Sequence, residues 1–234
     1  MSWRGSVDWA HFQMPTDKPN RQRAVAIMER SGWSIGAPNI LGRHTGPIRL
    51  PVVGGFGSRY SPRGLTVPVD DIVRRIKYDR QRPLELDIDS EGGIVFEAMK
   101  IYSALDSHMG PITARVEKRC HSAAGIVLMG ATERVSGPRA RYLVHSPGWL
   151  KGDHNFEYWN SVQLRKWADS LDVTDREVTE ILIKGCGGNR EKIEQLLAKG
   201  EYIGPWQAAE AGLIHKIAVG GRVLDVQNTF KPKL

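Results

Sequence analysis

Two short stretches of the chain carry residues whose types and spacing are suited to nucleophilic chemistry. Residues 89–93 read Asp-Ser-Glu-Gly-Gly, and residues 120–125 read Cys-His-Ser-Ala-Ala-Gly. Each stretch follows an extended apolar segment and precedes an apolar helix. Ser122 lies at the start of one predicted helix, and the Gly92-Gly93 pair lies at the start of the other. A hydroxyl beside unpaired amides of two helix N-termini predicts a nucleophile next to an oxyanion-stabilising site.

His145 is the candidate base for Ser122. A free serine hydroxyl is a weak nucleophile, and an imidazole can take its proton and return it to the leaving group. Ser122 follows the third predicted strand and His145 ends the fourth, so adjacent strand ends would bring the two side chains together. Residue type and spacing alone also fit an ordinary helix cap at Ser122 and a hydrogen-bonded strand-end residue at His145.

The elements that would position these residues alternate between strand and helix. This alternation predicts an α/β fold with a parallel sheet and right-handed crossovers. Period-two strands are predicted near Ile48–Val52, Leu84–Asp89, Ile112–Val116 and Arg141–His145, and helices near Val69–Ile76, Val95–Leu105 and, fully buried, Ala123–Ala131. Between residues 156 and 184 we expect two helices, the second starting at a capping box, Thr174 to Glu177. Two more helices are expected, one capped by Asn189 and ended by Gly200, and one starting at Pro205 and closed by Gly212.

Composition limits the classes of function. The chain has 234 residues with 41% hydrophobic and 25% charged content, enough for a soluble domain with a sizeable core. It has no apolar run long enough for a membrane span and no secretory signal. With only two cysteines, Cys120 and Cys186, we expect a reducing, cytoplasmic compartment. No P-loop, metal-ligand spacing or H-E-x-x-H pair occurs, so no metal and no cofactor are expected.

Positive charge is concentrated at the N-terminal end. Residues 1–60 contain 8 Lys and Arg against 3 Asp and Glu, whereas the other 174 residues contain 25 against 23. Residues 1–46 have too few apolar side chains for a core of their own and are predicted to be a basic extension, followed by one domain over residues 47–234. Although the extension contains three tryptophans, we expect a solvated arm that packs on a neighbour, and nucleic acid is not an expected partner.

The acids near residue 89 imitate the start of a calcium loop. Such a loop needs a glutamate at its twelfth position, where this chain has Ala98. The alternation of Asp87 and Asp89 with Leu86 and Ile88 is better explained as one face of a strand. We therefore do not expect calcium binding.

Four motifs in order resemble ClpP, the proteolytic subunit of the Clp protease, within the wider Clp/crotonase fold. The first is Asp-Ser-Glu-Gly-Gly at 89–93, similar to N-S-P-G-G in that family, with the helix after it. Ser122-Ala-Ala-Gly with its apolar helix resembles the nucleophile segment, and residues 141–147 resemble R-x-M-I-H-Q-P. Residues 208–214 resemble the closing E-A-x-E-Y-G-L-I-D. The resemblance implies a ClpP/crotonase-like spiral of β-β-α units with a protruding helical handle at about 156–185.

The resemblance also implies roles for individual residues. Ser122 would be the nucleophile, His145 the general base, and the amides of Gly93 and Ala123 the oxyanion hole. It implies a peptidase acting on peptides or unfolded proteins inside a chamber of stacked rings of one chain. A Clp-type ATPase would deliver the substrate, and the handle would join two rings.

Three positions depart from the family pattern. Glu91 replaces a proline, Lys118 replaces a usual glycine, and Leu196 stands at the position of the third catalytic residue, an aspartate. Without that carboxylate the histidine tautomer is not fixed, which can lower turnover by about four orders of magnitude. Carboxylates that could replace it are those of Asp153, Glu191, Glu194 and Glu201.

The missing aspartate leaves a second hypothesis open. The chain would be a weak or silent ClpP-like subunit that serves as a ring or binding component beside an active paralogue. An acyl-CoA enzyme of the crotonase branch and a Ser-Lys dyad using Lys118 or Lys151 are further alternatives, and the pair of Ser122 and His145 disfavours both. Cys120 is expected to pack rather than to react.

Overall fold

A computed structural model describes residues 46–57, 62, 64–148 and 160–227. In this part of the chain eight strands form one mixed sheet. The strands are β1 (Ile48–Phe56), β2 (Leu84–Gly93), β3 (Ile112–His121), β4 (Glu133–Ser136), β5 (Arg141–Leu143), β6 (Tyr202–Ile203), β7 (Lys216–Val219) and β8 (Arg222–Asp225). The main order is β1-β2-β3-β4-β7-β8, with β5 joined to β3 and β6 to β5. The pairs β5–β6 and β7–β8 are antiparallel, and the other pairs are parallel.

Six helices complete the described part of the chain. They are α1 (Val69–Tyr78), α2 (Val95–Asp106), α3 (Ala124–Met129), α4 (Ser161–Gly185), α5 (Arg190–Lys199) and α6 (Pro205–Glu210). The predicted α/β class is confirmed by this architecture. Every residue of α3 is buried, as its all-round apolar sequence predicts. Asn189 caps α5 and Gly200 ends it in a left-handed conformation, also as predicted.

The prediction of two helices between residues 156 and 184 is wrong for the described residues. One continuous helix, α4, runs through the expected second start. The hydroxyl of Thr174 donates to the carbonyl of Ser170 one turn earlier at 3.0 Å, so it bonds within the helix instead of capping a new one. The capping box is formed earlier, by Asn160 and Gln163. Residues before 160 lie outside the described residues.

The two halves of α4 differ in their packing. The buried residues of the helix are Val178, Leu182 and Ile183, all in its C-terminal part. In its N-terminal half Val162 and Leu164 are more than half exposed. The C-terminal half therefore packs on the body of the domain, while the first four turns are only lightly packed by the described residues.

The side chain of Arg134, on β4, contacts backbone carbonyls at three helix ends. It is 4% exposed, and its guanidinium donates to the carbonyls of Gly185 at 2.7 Å and Gly212 at 3.1 Å. A longer contact of 3.5 Å reaches the carbonyl of Ala131. These carbonyls belong to the C-terminal ends of α4, α6 and α3, where the helix dipole favours a cation. This bonding holds the helix that follows Ser122 against the rest of the domain.

Candidate active site

Ser122 lies in the tight turn between β3 and α3. Its φ is 52°, and among the described residues it is the one non-glycine residue with a positive φ. A side chain in this left-handed region costs roughly 1–2 kcal/mol. Strain of this kind persists only where surrounding contacts hold it, and it is frequent at functional sites.

The turn at Ser122 is fixed to the neighbouring strand. The amide of Ser122 donates to the carbonyl of Leu143 at 2.6 Å. His121 and Leu143 are paired in the parallel register of β3 and β5. Because His145 follows Leu143 by two residues, the sheet brings the segments of Ser122 and His145 to the same edge.

Gly92, near the end of β2, packs directly against Ser122. Gly92 has a φ of 87° and Gly93 a φ of 135°, conformations that favour glycine. A Cβ atom added at Gly92 would lie 2.7 Å from the Cβ of Ser122 and 2.5 Å from the carbonyl oxygen of His121. The hydroxyl of Ser90 holds this turn, because it accepts from the Gly92 amide at 3.1 Å. The two stretches singled out in the sequence therefore meet in the fold.

The amide of Ala123 is well placed to bind an anion. An added Cβ at Gly92 would lie 3.0 Å from this nitrogen, so the amide is beside both the glycine pair and the nucleophile. Within the described residues the Ala123 amide has no backbone acceptor. Gly93, the other predicted donor, lies opposite Phe56 of β1, whose carbonyl accepts from the Ile94 amide at 2.8 Å. A backbone amide left available next to a serine turn is what an oxyanion hole requires.

His145 is half-buried, and its ring is held by its own backbone. The Nδ1 atom lies 2.8 Å from the carbonyl oxygen of Ser146. Because a carbonyl only accepts, Nδ1 is the donor, and in a neutral ring with this tautomer Nε2 has the lone pair. Among the hydrogen bonds of the described residues none joins the imidazole to Ser122. Catalytic hydrogen bonds are often long before substrate binds, and the neutral tautomer is already the one that a general base needs.

Leu196, where the resemblance puts the third catalytic residue, brings no carboxylate to this part of the chain. A Cβ added at Gly200 would lie 3.4 Å from the Cβ of His145, so the end of α5 is next to the imidazole. The Gly200 amide donates to the carbonyl of Leu196 at 3.0 Å, one helical turn back. Leu196 packs against the hydrophobic core. The end of α5 is therefore close to His145, but Leu196, one turn earlier, is apolar.

The alternative carboxylates differ in their surroundings. Glu194 bonds to Arg190 at 3.2 Å, and Glu191 accepts from a side-chain amide one turn later on α5. Glu201 is exposed and directly follows Gly200. Asp153 lies outside the described residues, as does Lys151 of the alternative dyad. Two of the four candidates are thus engaged elsewhere on the helix surface.

Arg119 forms an ion cluster beside the site that the sequence analysis missed. Its Nε and Nη2 atoms donate to both oxygens of Asp89 at 2.7 and 3.0 Å, and its Nη1 lies 3.1 Å from Glu91. The hydrogen bonds to Asp89 raise the pKa of Arg119. The sequence shows a basic residue three positions before Ser122 and acids on either side of Ser90, but it does not show that they face each other. Glu91 is thereby engaged at the position where the family has proline.

His121 and Cys120 lie on opposite faces of β3. Burial, and then the charge of Arg119, lower the pKa of His121, whose ring packs edge-on against Tyr202 with centroids 5.0 Å apart. Cys120 is 2% exposed, and burial raises the pKa of its thiol. The prediction that Cys120 packs in the core is confirmed by this burial. The thiol of Cys120 therefore supplies no thiolate nucleophile at neutral pH.

Across the described residues no group of three or more His, Cys, Asp and Glu side chains could hold a metal ion. In the same part of the chain, no helix combines the length and apolar character that a membrane span needs.

Comparison with known proteins agrees with this geometry. The family model described as Clp protease matches residues 71–220. The chain belongs to the Clp protease family. A solved structure, that of a ClpP1 mutant from Listeria monocytogenes, superposes with a TM-score of 0.58 at 15% sequence identity, covering 72% of this chain and 90% of that chain. At this identity the structural likeness establishes only the fold, and it confirms the predicted ClpP-like fold. Membership of the Clp protease family rests on the family model.

Proposed function

We propose that this Clp-family chain is a serine peptidase in which Ser122 is the nucleophile and His145 the general base. The observation that carries the proposal is the contact between the turn that contains Gly92 and the turn that contains Ser122. Gly92 packs on Ser122, whose backbone is strained, and the amide of Ala123 lies beside them. A nucleophile and an oxyanion donor are thus held together by backbone rather than by mobile side chains.

The chemistry follows from these positions. Ser122 Oγ attacks the carbonyl carbon of a peptide bond while its proton passes to Nε2 of His145. The amides of Ala123 and Gly93 bind the oxyanion. The imidazolium then gives its proton to the departing amine, which leaves an acyl-enzyme on Ser122. Water, deprotonated by the same imidazole, hydrolyses the ester and restores the serine.

We further propose that the Ser146 carbonyl takes over one role of the missing carboxylate, that of orienting the imidazole. It accepts the Nδ1 proton of His145 and so fixes the productive tautomer. A neutral carbonyl stabilises the imidazolium less than a carboxylate does, since hydrogen bonds between ionised partners are roughly twice as strong. We therefore expect turnover well below that of a peptidase with a complete triad.

The proposed substrate is a peptide or an unfolded protein, admitted to a chamber of stacked rings of this chain. Assembly into rings is carried over from the family and is part of the proposal. Delivery by a Clp-type ATPase and a cytoplasmic location are part of the same proposal and rest on the family alone.

Leu196 supports a second candidate function, that of a silent ring or binding subunit. A leucine where the family has aspartate removes the charge that stabilises the imidazolium. In that case the chain would assemble with an active paralogue and would hydrolyse nothing by itself.

The two functions are separated by assaying the full-length chain with a fluorogenic peptide and with an unfolded protein. We expect slow hydrolysis that disappears in Ser122→Ala and in His145→Ala, and native mass spectrometry should give a homo-oligomer. No hydrolysis by a correctly assembled wild-type homo-oligomer, with activity gained only after mixing with a paralogue, would reject the first proposal in favour of the second.

A further inference from the structure

Arg119 bridges the two turns that make up the proposed active site. It lies on β3 three residues before Ser122, and its two partners lie on β2 just before the Gly92-Gly93 pair. Asp89 receives both arms of a bidentate contact, and Glu91 receives the remaining nitrogen. One planar guanidinium thereby contacts the strands of both the nucleophile and the oxyanion glycines. Bidentate pairing of this kind adds geometric specificity as well as energy.

The bridge spans a place where the backbone ladder is irregular. Ile88 pairs with Val116, but Ser90 pairs with Cys120, so β3 uses four residues where β2 uses two. The regular hydrogen bonds between the strands are interrupted there, and bulges of this type re-aim the residues that follow. The contact between Arg119 and Asp89 lies within this irregular stretch, and Glu91 lies just past it. The bridge supplies a connection between the strands where the ladder is interrupted.

The cluster is shielded enough for its geometry to be well defined. The side chain of Arg119 is 29% exposed, that of Asp89 is 11% and that of Glu91 is 17%. Without the guanidinium, the two carboxylates would repel each other two residues apart on one strand. That repulsion would act next to the site at which an oxyanion forms.

We propose that Arg119 is a positioning residue that holds the Gly92-Gly93 turn in register with Ser122 and Ala123. This inference rests on the proposed peptidase function. Arg119 does not touch the substrate in this role; it acts through the carboxylates of Asp89 and Glu91. A small displacement of reacting groups is enough to lower a rate by about 100-fold.

The test uses a fluorophosphonate probe on the full-length protein and separates its binding constant from its first-order rate of inactivation. Arg119→Gln should lower the inactivation rate by about tenfold or more, with the binding constant nearly unchanged, because the oxyanion forms only in the covalent step. Arg119→Lys should lose most of the rate as well, since an ammonium lacks the planar fork. In the double variant Arg119→Gln, Asp89→Asn, the loss of inactivation rate should be far smaller than the two single losses combined.

A matched control exists on the same sheet. Arg49 on β1 makes a similar cross-strand bond to Glu85 of β2, with Nε and Oε2 3.0 Å apart. Glu85 precedes Gly92 by seven residues, about 23 Å along the strand. Arg49→Gln should therefore leave the inactivation rate within twofold of wild type.

The outcomes distinguish the two proposals. In one outcome the wild-type protein is labelled and the folded Arg119→Gln and Arg119→Lys variants react at the same rate. That result would overturn the positioning role but leave the proposed function standing. Equal losses in Arg119→Gln and in Arg49→Gln would also overturn it, because any surface ion pair would then have the same effect. Wild-type protein that is folded and never labelled would refute the proposed function and this role with it.

Discussion

The Nδ1 atom of His145 lies 2.8 Å from the carbonyl oxygen of Ser146, which is the residue that follows it in the chain. Among the described residues, the partner that orients the histidine is therefore a backbone carbonyl and not a carboxylate. This arrangement explains how a chain with leucine at the third catalytic position could keep a productive imidazole tautomer. It also explains why we expect the activity to be low.

Restoring a carboxylate should raise the activity. Leu196 lies one turn before Gly200, whose backbone packs on His145. We expect Leu196→Asp to increase the rate of peptide hydrolysis by about tenfold or more, because an ionised partner stabilises the imidazolium. Gln195→Asp is the matched control, since it adds the same charge at an exposed position of α5. A folded Leu196→Asp variant with no gain would show that the missing aspartate does not limit the rate.

The strained backbone at Ser122 should be measurable as a loss of stability. Its φ of 52° suits glycine, which has no Cβ to clash. Both Ser122→Gly and Ser122→Ala remove the hydroxyl, but only the glycine variant relieves the strain. We expect Ser122→Gly to be more stable than Ser122→Ala by about 1 kcal/mol in urea unfolding. An alanine variant as stable as the glycine variant would argue against stored strain at the nucleophile.

The contact between Gly92 and Ser122 should tolerate no side chain. Gly92→Ala would place a Cβ within 2.7 Å of the Ser122 Cβ. We expect loss of labelling by a fluorophosphonate together with a clear drop in melting temperature. Gly220→Ala is the control, because Gly220 also has a positive φ of 56° but nothing within 4 Å of an added Cβ. It should cost about 1 kcal/mol and label normally. Normal labelling of Gly92→Ala would contradict the described junction.

Stability should fall in acid because of His215. Burial, and then Arg134, lower the pKa of its imidazole to about 4, while Glu133 and Asp225 oppose this shift and Lys216 adds to it. The guanidinium of Arg134 donates to Nε2 at 2.5 Å, so the ring must be neutral. The unfolded chain binds this proton near pH 6.5 and the folded chain only near pH 4, so the unfolded state holds more protons between them. Stability from this group is therefore present above pH 6.5 and lost as the pH falls to about 4.

The measurement is the melting temperature from about pH 4 to about pH 7, the interval in which the unfolded chain holds the extra proton. His215→Gln keeps an oxygen acceptor for Arg134 but does not titrate, so its melting temperature should depend less on pH over this interval. An identical pH dependence in wild type and His215→Gln would assign acid sensitivity to other groups.

Much of the fold could be read from periodicity, and the exceptions have physical causes. The strand at Leu84 and the buried helix after Ser122 were predictable because their apolar patterns match one structure only. The second helix start at Thr174 was wrong because a capping-box sequence also fits a helix interior, where its hydroxyl bonds one turn back. Strands β4 and β6 to β8 have two to four residues, too few for a period.

The candidate site was predictable for the residues that follow strands and less so for those that act across them. Ser122, Gly92 and His145 follow or end strands, so the sequence places them at one edge of a parallel sheet. The bond from Arg119 to Asp89 depends on a register shift between β2 and β3, which no spacing in the sequence reveals. The Ser146 carbonyl is a backbone atom and has no residue-type signal at all.

The most direct test of the central claim is covalent labelling of the folded full-length chain by a fluorophosphonate, read by intact mass and peptide mapping. We predict one adduct per chain, on the peptide that contains Ser122, and no adduct in Ser122→Ala. His145→Ala should react far more slowly, because the hydroxyl loses its base. A folded, assembled wild-type protein that gains no mass, or an adduct that persists in Ser122→Ala, would contradict the assignment of Ser122 as the nucleophile.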